Sequence, residues 1–246
     1  MVKVLKSQIE NRKAYAEMRR QGIDCKSSLF QRLLHKFRLV KQVNIGNYRK
    51  SWDVLETVQF LKENVPLDAP ILDIGAYTSE LPCILYRLSY KNLTGIDLNP
   101  KLKQMPYADK IHYIIGDFMQ TSFEDESFNI VTAVSVIEHG YKGQQLLSEI
   151  SRILKHGGHF IASVDYWPEK IDTSGIKPFG MDWKIFSENE LRSFIKEAEK
   201  FGFKPCGAMD FNASEQTVKW NGRKYTFAWI ALKKICNRQN VFKKVC

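Results

Sequence analysis

From residue 66 onward the chain alternates short apolar runs with amphipathic stretches, and this alternation restricts the fold more than any other feature. The apolar runs fall at 70–74, 93–97, 111–115, 128–135 and 159–164. Helical spacing fills the intervals at 81–88, 144–154 and 188–201, the last opened by a Ser187-x-x-Glu190 capping box. Runs this apolar have no face to show to water. They predict the strands of a parallel sheet covered by helices on both sides. Two more runs, 204–211 and 225–232, follow with no helix between them, and Asn221-Gly222 supplies turn chemistry shortly before the second. Such neighbours pair antiparallel or splay apart.

The first 64 residues keep a different period. Apolar residues recur at helical spacing through Leu29, Leu33, Leu34 and Phe37, and again through Trp52, Leu55, Val58 and Leu61. Asn44-Ile45-Gly46-Asn47 interrupts them. The chain therefore divides into an N-terminal helical cap (1–65), an α/β domain (66–235) and a basic tail (236–246). The cap suits either the catalytic face or the back of the sheet.

Charge follows the same division. The net charge of +10 splits into about +8 up to Val65, −6 from Pro66 to Val218, and +8 from Lys219 onward. An acidic body with basic ends reads as solvated helix faces, or as a funnel for an anionic acceptor such as a phosphorylated sugar or a nucleic acid. Five scattered cysteines (Cys25, Cys83, Cys206, Cys236, Cys246) show no metal-ligand spacing, so no metal is expected, and they suggest reduced thiols in a cytoplasmic protein. No apolar run is long enough to span a bilayer, and no apolar block follows the early basic residues as in a secretory signal.

Polar residues gather where the predicted strands end. The first strand runs into Asp73-Ile74-Gly75-Ala76-Tyr77-Thr78-Ser79-Glu80. A strand leading through Asp-x-Gly into a helix marks a nucleotide site, because glycine lets a ligand approach the backbone. Tyr77 and Ser79 stand where a dinucleotide loop would continue with glycines, which disfavours a pyrophosphate and hence a nicotinamide-linked oxidoreductase. The second strand ends in Asp97-Leu98-Asn99-Pro100. An acid about 20 residues beyond the loop is placed for ribose hydroxyls. Asp97 also reads as a helix cap ahead of Pro100.

The third element, Gly116-Asp117-Phe118 through Phe123, Asp125, Ser127 and Phe128, resembles the class I methyltransferase superfamily, in particular its methyltransferase-11-like branch. So do Ser135-Val136-Ile137-Glu138-His139 and the stretch from Glu149 through Arg152 to Gly157-Gly158. Ser122, Asn129 and His156 depart from the branch's usual residues. The likeness covers roughly 69–232. It implies a doubly wound, mostly parallel seven-stranded α/β sheet with an antiparallel last strand, and S-adenosyl-L-methionine as cofactor. By resemblance, Asp73 and the Gly75-Ala76-Tyr77 loop hold the methionine end, Asp97 with Leu98 the ribose, Asp117 and Phe118 the adenine. Ser135 and the Glu138-His139 pair then lie beside the transferred methyl. The acceptor expected is small and polar: a sugar, a sugar-containing lipid or a natural-product intermediate, methylated on oxygen or nitrogen. An RNA methyltransferase and a non-catalytic relative stay open, although no Asn/Asp-Pro-Pro-aromatic motif and no RNA-binding module is present. For a hydroxyl acceptor, His139 is the side chain best matched to take the proton near neutral pH. Glu138 orients it or holds the acceptor, and Asp165 and Tyr166 are the alternates. The segments 165–168 and 179–183, rich in aromatic and acidic residues, are candidates for the acceptor wall.

Overall fold

A computed structural model describes residues 1–25, 43 and 45–235. The helical spacing around Leu29–Phe37 and the tail 236–246 lie outside the described residues. The chain enters with strand β1 (Val2–Val4) and helix α1 (Gln8–Arg20), and α2 follows at Ser51–Asn64. Then come β2 (Ile71–Ile74), α3 (Leu81–Arg87), β3 (Leu93–Asp97), β4 (His112–Ile115), β5 (Phe128–Val134), α4 (Gly143–Ile153) and β6 (Leu154–Tyr166). Helix α5 (Glu188–Lys200), β7 (Phe203–Pro205), β8 (Val218–Trp220) and β9 (Arg223–Lys234) complete the series.

The strands lie in the order β1-β9-β6-β5-β2-β3-β4. Strands β4, β3, β2, β5 and β6 run parallel, and β9 is antiparallel to β6. This is the doubly wound, mostly parallel sheet expected, closed by an antiparallel last strand. The count differs from the seven expected, because nine strands belong to it among the described residues. One long strand, β9, pairs with β8 at residues 223–225, with β1 at 228–230 and with β7 at 232–234. The strand expected over 204–211 therefore stops at Pro205: the edge of β9 that it would continue along is already taken by β1. Residues 2–4, expected as helix, are that edge strand.

Side chains alternate cleanly between two cores. Ile71, Ile130, Ile161, Phe227 and Trp229 face a layer formed by α1, α2 and α3. Leu72, Val131, Ala162, Val164 and Ile230 face α4 and α5. Helix α2 is fixed to the sheet by a hydrogen bond from the Trp229 indole N–H to Thr57 Oγ1 (2.9 Å). Its first turn reaches the C-terminal ends of the strands, so the N-terminal segment meets those ends as well as the face of the sheet. No helix among the described residues is long and apolar enough to cross a membrane.

The expected capping box is present. The Ser187 side chain accepts from the Glu190 N–H, and Glu190 Oε2 accepts from the Ser187 N–H at 2.9 Å. Ser187→Ala should lower the unfolding free energy by about 1 kcal/mol in a urea titration, through loss of that cap. An unchanged midpoint would show that α5 is held by packing alone.

Candidate active site

Strand order reverses between β2 and β5, with β3 and β4 on one side and β6 and β9 on the other. Loops leaving two such strands part in opposite directions, and the crevice between them is where an open α/β sheet binds ligands. The loop after β2 opens with Gly75 at φ +68°. A Cβ there would stand 2.4 Å from the Val136 side chain, so only glycine permits the loops after β2 and β5 to approach this closely. Ala76 N–H donates to the Ile96 carbonyl (3.1 Å), and Tyr77 N–H to Asp97 Oδ2 (3.0 Å). Asp97 Oδ1 accepts from Asn99 N–H at 2.8 Å. Asp97 thus anchors the glycine-poor loop, while each oxygen keeps a lone pair free for a ligand hydroxyl.

Beyond this loop opens a cavity of about 350 Å³. It brings together Gly75, Tyr77, Ser135, Glu138, His139 and Asp165. Asp73 and Ala76 are buried directly below the loop and do not line it. Leu98, 58% exposed, follows the end of β3, and Asp117 and Phe118 follow β4; neither they nor Asp97 line the cavity. Tyr166 is not at the site. It is fully buried in the opposite core, and its hydroxyl donates to the Phe211 carbonyl at 2.7 Å. Neighbours on a strand face opposite sides, so Asp165 and Tyr166 could not both reach one cavity.

Several lining groups lay outside the sequence expectation. Lys50, at the start of α2, donates to Ser135 Oγ and places its ammonium 4.1 Å from the centre of the Phe227 ring. Asp53, one turn into α2, is buried behind the site and accepts from Ser163 Oγ at 2.7 Å. Trp220, Tyr225 and Phe227 come from β8 and β9 and line the cavity, the Trp220 ring 6.2 Å from that of Phe179. Of the aromatic segment 179–183, Phe179 lines the cavity, and Trp183 packs against Trp220 and Tyr225 with ring centroids 5.0 and 5.7 Å apart. The Trp183 indole N–H donates to Asp165 Oδ2 at 2.8 Å. Ser135, Thr78 and Phe179, all lining residues, hold φ between 52° and 65°. Strain of that kind persists only where the surroundings over-determine the backbone.

The carboxylates here are short of partners. Asp73 Oδ1 accepts from Thr132 Oγ1 (2.6 Å), whereas its Oδ2 is buried and unbonded. Both oxygens of Glu138 are buried and unbonded, and so is His139 Nδ1. Burial pushes Asp73 up to about 7 and Asp165 up to about 6, and raises Glu138 well above the usual carboxylate range. Burial, with Lys50 nearby, lowers His139 to about 4. Acids raised in this way bind more protons folded than unfolded, so their contribution to stability is lost as pH climbs from about 4 through about 7. Glu138→Gln removes one such charge. In ligand-free protein it should raise stability by about 1–3 kcal/mol at pH 8 and by little at pH 5. Parallel pH–stability curves for variant and wild type would refute an unpaired charge at Glu138.

Residues 72–162 match the family described as "Methyltransferase domain". A sterol 24-C-methyltransferase of Yarrowia lipolytica is 31% identical over 164 residues, 61% of this chain and 43% of that protein. The enzyme of the same name from Clavispora lusitaniae is 31% identical over 107 residues, 40% and 28% respectively. The chain thus matches less than half the length of these relatives. Geranyl diphosphate C-methyltransferase from Streptomyces coelicolor A3(2), solved with magnesium, geranyl diphosphate and S-adenosyl-L-homocysteine, superposes with a TM-score of 0.56 at 14% identity, covering 76% of this chain and 82% of that one. The [4+2]-cyclase SpnF superposes at 0.58 with 15% identity, covering 80% and 86%. The match over residues 72–162 and the strand order agree with the resemblance to class I methyltransferases that the sequence carries.

Proposed function

We propose that this protein transfers a methyl group from S-adenosylmethionine to a small acceptor seated in the 350 Å³ cavity. The observation that carries the reading is the fit of the crevice to that cofactor. Gly75 leaves backbone room, Asp73 keeps an unbonded buried oxygen below the loop, and Asp97 retains lone pairs at the end of β3. When bound, S-adenosylmethionine supplies a methyl already activated on a sulfonium. The chain's tasks are then to align the acceptor, exclude water and manage one proton.

Asp97 accepts from the ribose hydroxyls while its other contacts hold the loop. Asp117 takes the adenine amino group, with Phe118 and Leu98 beside the base and sugar. Tyr77 is assigned to the methionine end, and Ser135, which accepts a hydrogen bond from Lys50, to the place beside the transferred methyl. His139 was the first expectation for the base. Its lowered pKa of about 4 makes it a weak one at neutral pH, and we assign the acceptor's proton to Glu138 instead, whose raised pKa matches the task. Asp165, fixed by Trp183, is the alternate.

The acceptor site extends outward. A second cavity of about 180 Å³ shares Arg49 and Val218 with the first and adds Arg12. These two arginines suit an acidic portion of the acceptor, as a phosphorylated sugar would carry. Carbon methylation is the competing reading, favoured by the names of the relatives; heteroatom transfer is preferred because a carboxylate able to take a proton lies in the cavity. The described cysteines Cys25, Cys83 and Cys206 are free, in keeping with a cytoplasmic setting.

Calorimetry should show binding of S-adenosylmethionine or S-adenosylhomocysteine, with no comparable affinity for NAD. Asp97→Ala should weaken it by about 1.5–3 kcal/mol, because a charged acceptor for two hydroxyls is lost along with the Tyr77 anchor. Equal affinity in the variant would remove Asp97 from the cofactor site.

A further inference from the structure

Glu138 is 1% exposed, lines the cavity and has no hydrogen-bond partner on either carboxylate oxygen. Its acidic neighbours are all satisfied in part: Asp53 by Ser163, Asp165 by Trp183. An unpartnered carboxylate this deep in a folded protein is costly unless a ligand completes it.

The surroundings define that ligand's charge. Among the described residues Asp53, Glu138 and Asp165 share one half-buried cation, Lys50, which is already engaged with Ser135 and the Phe227 ring. Arg49 is exposed at the mouth, and Glu80 adds another acid to the lining. The rings of Phe179, Trp220, Tyr225 and Phe227 line the same cavity as Glu138 and Asp165. Electron-rich ring faces and uncompensated carboxylates both favour a cation, and together they select a desolvated ammonium over a neutral hydroxyl.

From this we infer that the acceptor presents an amine, which Glu138 binds as the ammonium and deprotonates for N-methylation. The inference rests on the reading above that this cavity takes the methyl acceptor. One proton passes from the ammonium nitrogen to a Glu138 oxygen, leaving a neutral amine and a neutral carboxyl. The freed lone pair forms the nitrogen–carbon bond as the carbon–sulfur bond breaks, and the breaking bond's electron pair stays on sulfur. The product is a secondary ammonium and S-adenosylhomocysteine. Burial at Glu138 favours the protonated carboxyl and so assists the first step.

The test uses the full chain saturated with S-adenosylhomocysteine and three matched pairs: 2-phenylethylamine with 2-phenylethanol, cyclohexylamine with cyclohexanol, and glucosamine with glucose. In calorimetry at least one amine should bind about 10- to 100-fold more tightly than its alcohol, and Glu138→Gln should abolish that difference while leaving S-adenosylhomocysteine affinity intact. Phe179, 76% exposed, can be replaced without disturbing the core; Phe179→Ala should weaken amine binding by about threefold to tenfold. Alcohols binding as well as amines, no amine binding at all, or an amine preference that survives Glu138→Gln would each overturn the inference. So would magnesium binding that Glu138→Gln removes in place of amine binding, or a Glu138→Gln loss confined to S-adenosylmethionine over S-adenosylhomocysteine, which would assign the carboxylate to the sulfonium. Failure of S-adenosylhomocysteine itself to bind would sink the methyltransferase reading before the amine arms are reached.

Discussion

A sheet buried on both faces allows polar side chains only where something repays their desolvation, and the rest of this structure follows from that restriction. Along β2, β5 and β6 nearly every position is apolar. Among the buried positions the polar or charged exceptions are Asp73, Thr132, Ser163 and Asp165, and all four project to the face covered by α2 and α3. Asp73 and Thr132 are directly paired across the two strands where the order reverses. Ser163 and Asp165, two residues apart on β6, continue the same line toward the strand end. The chain has concentrated its buried polarity along one track, and the track leads into the cavity. Helix α2 completes it with Asp53, and Lys50 just before it lines the cavity, so the N-terminal segment is more than a cover.

That track is held at a cost in stability. Glu138 has no partner, His139 keeps an unbonded ring nitrogen, and three lining residues hold positive φ without being glycine. Such features persist because the surroundings fix them rigidly. Gly140 N–H donates to the Asp182 carbonyl and Lys184 N–H to the Glu138 carbonyl, which ties the loop after β5 to the aromatic segment. Rigid placement of unsatisfied groups is preorganisation, and it favours whichever ligand completes them. The similarity to the SpnF cyclase shows how far one fold serves different chemistry, so the site, and not the sheet, has to carry the functional argument.

Much of this was legible in the sequence, and the failures have physical causes. The strand at 93–97 and the capping box at Ser187 were readable because local patterning and tertiary context agree there. The edge strand β1 was not: three residues carry no period, and only the distant partner β9 makes them a strand. Tyr166 was misplaced beside Asp165 although the two-residue period of a strand already separates them. Lys50 and Asp53 were passed over as solvated helix charges. A signal existed for Asp53, since it stands in the same stripe as Thr57 and Leu61, four and eight residues on, all buried in α2. An acid inside a buried stripe is either misassigned or functional. Lys50 offered no such sign, because its role depends on which strand end α2 meets.

The pairing of β1 with β9 also sets an order of events during synthesis. Val2 is matched to Ile230, so β1 leaves the ribosome long before the strand it pairs with. Until β9 arrives, β6 lacks its antiparallel neighbour as well, and the apolar sides of Val2, Val4, Ala162 and Val164 have no complete core to enter. Parallel strands β2 to β5 can associate earlier around the reversal point. The growing chain would then pass through a stage with a formed cofactor crevice and an unfinished sheet edge, the kind of long-range closure that folds slowly and exposes sticky surface while it waits.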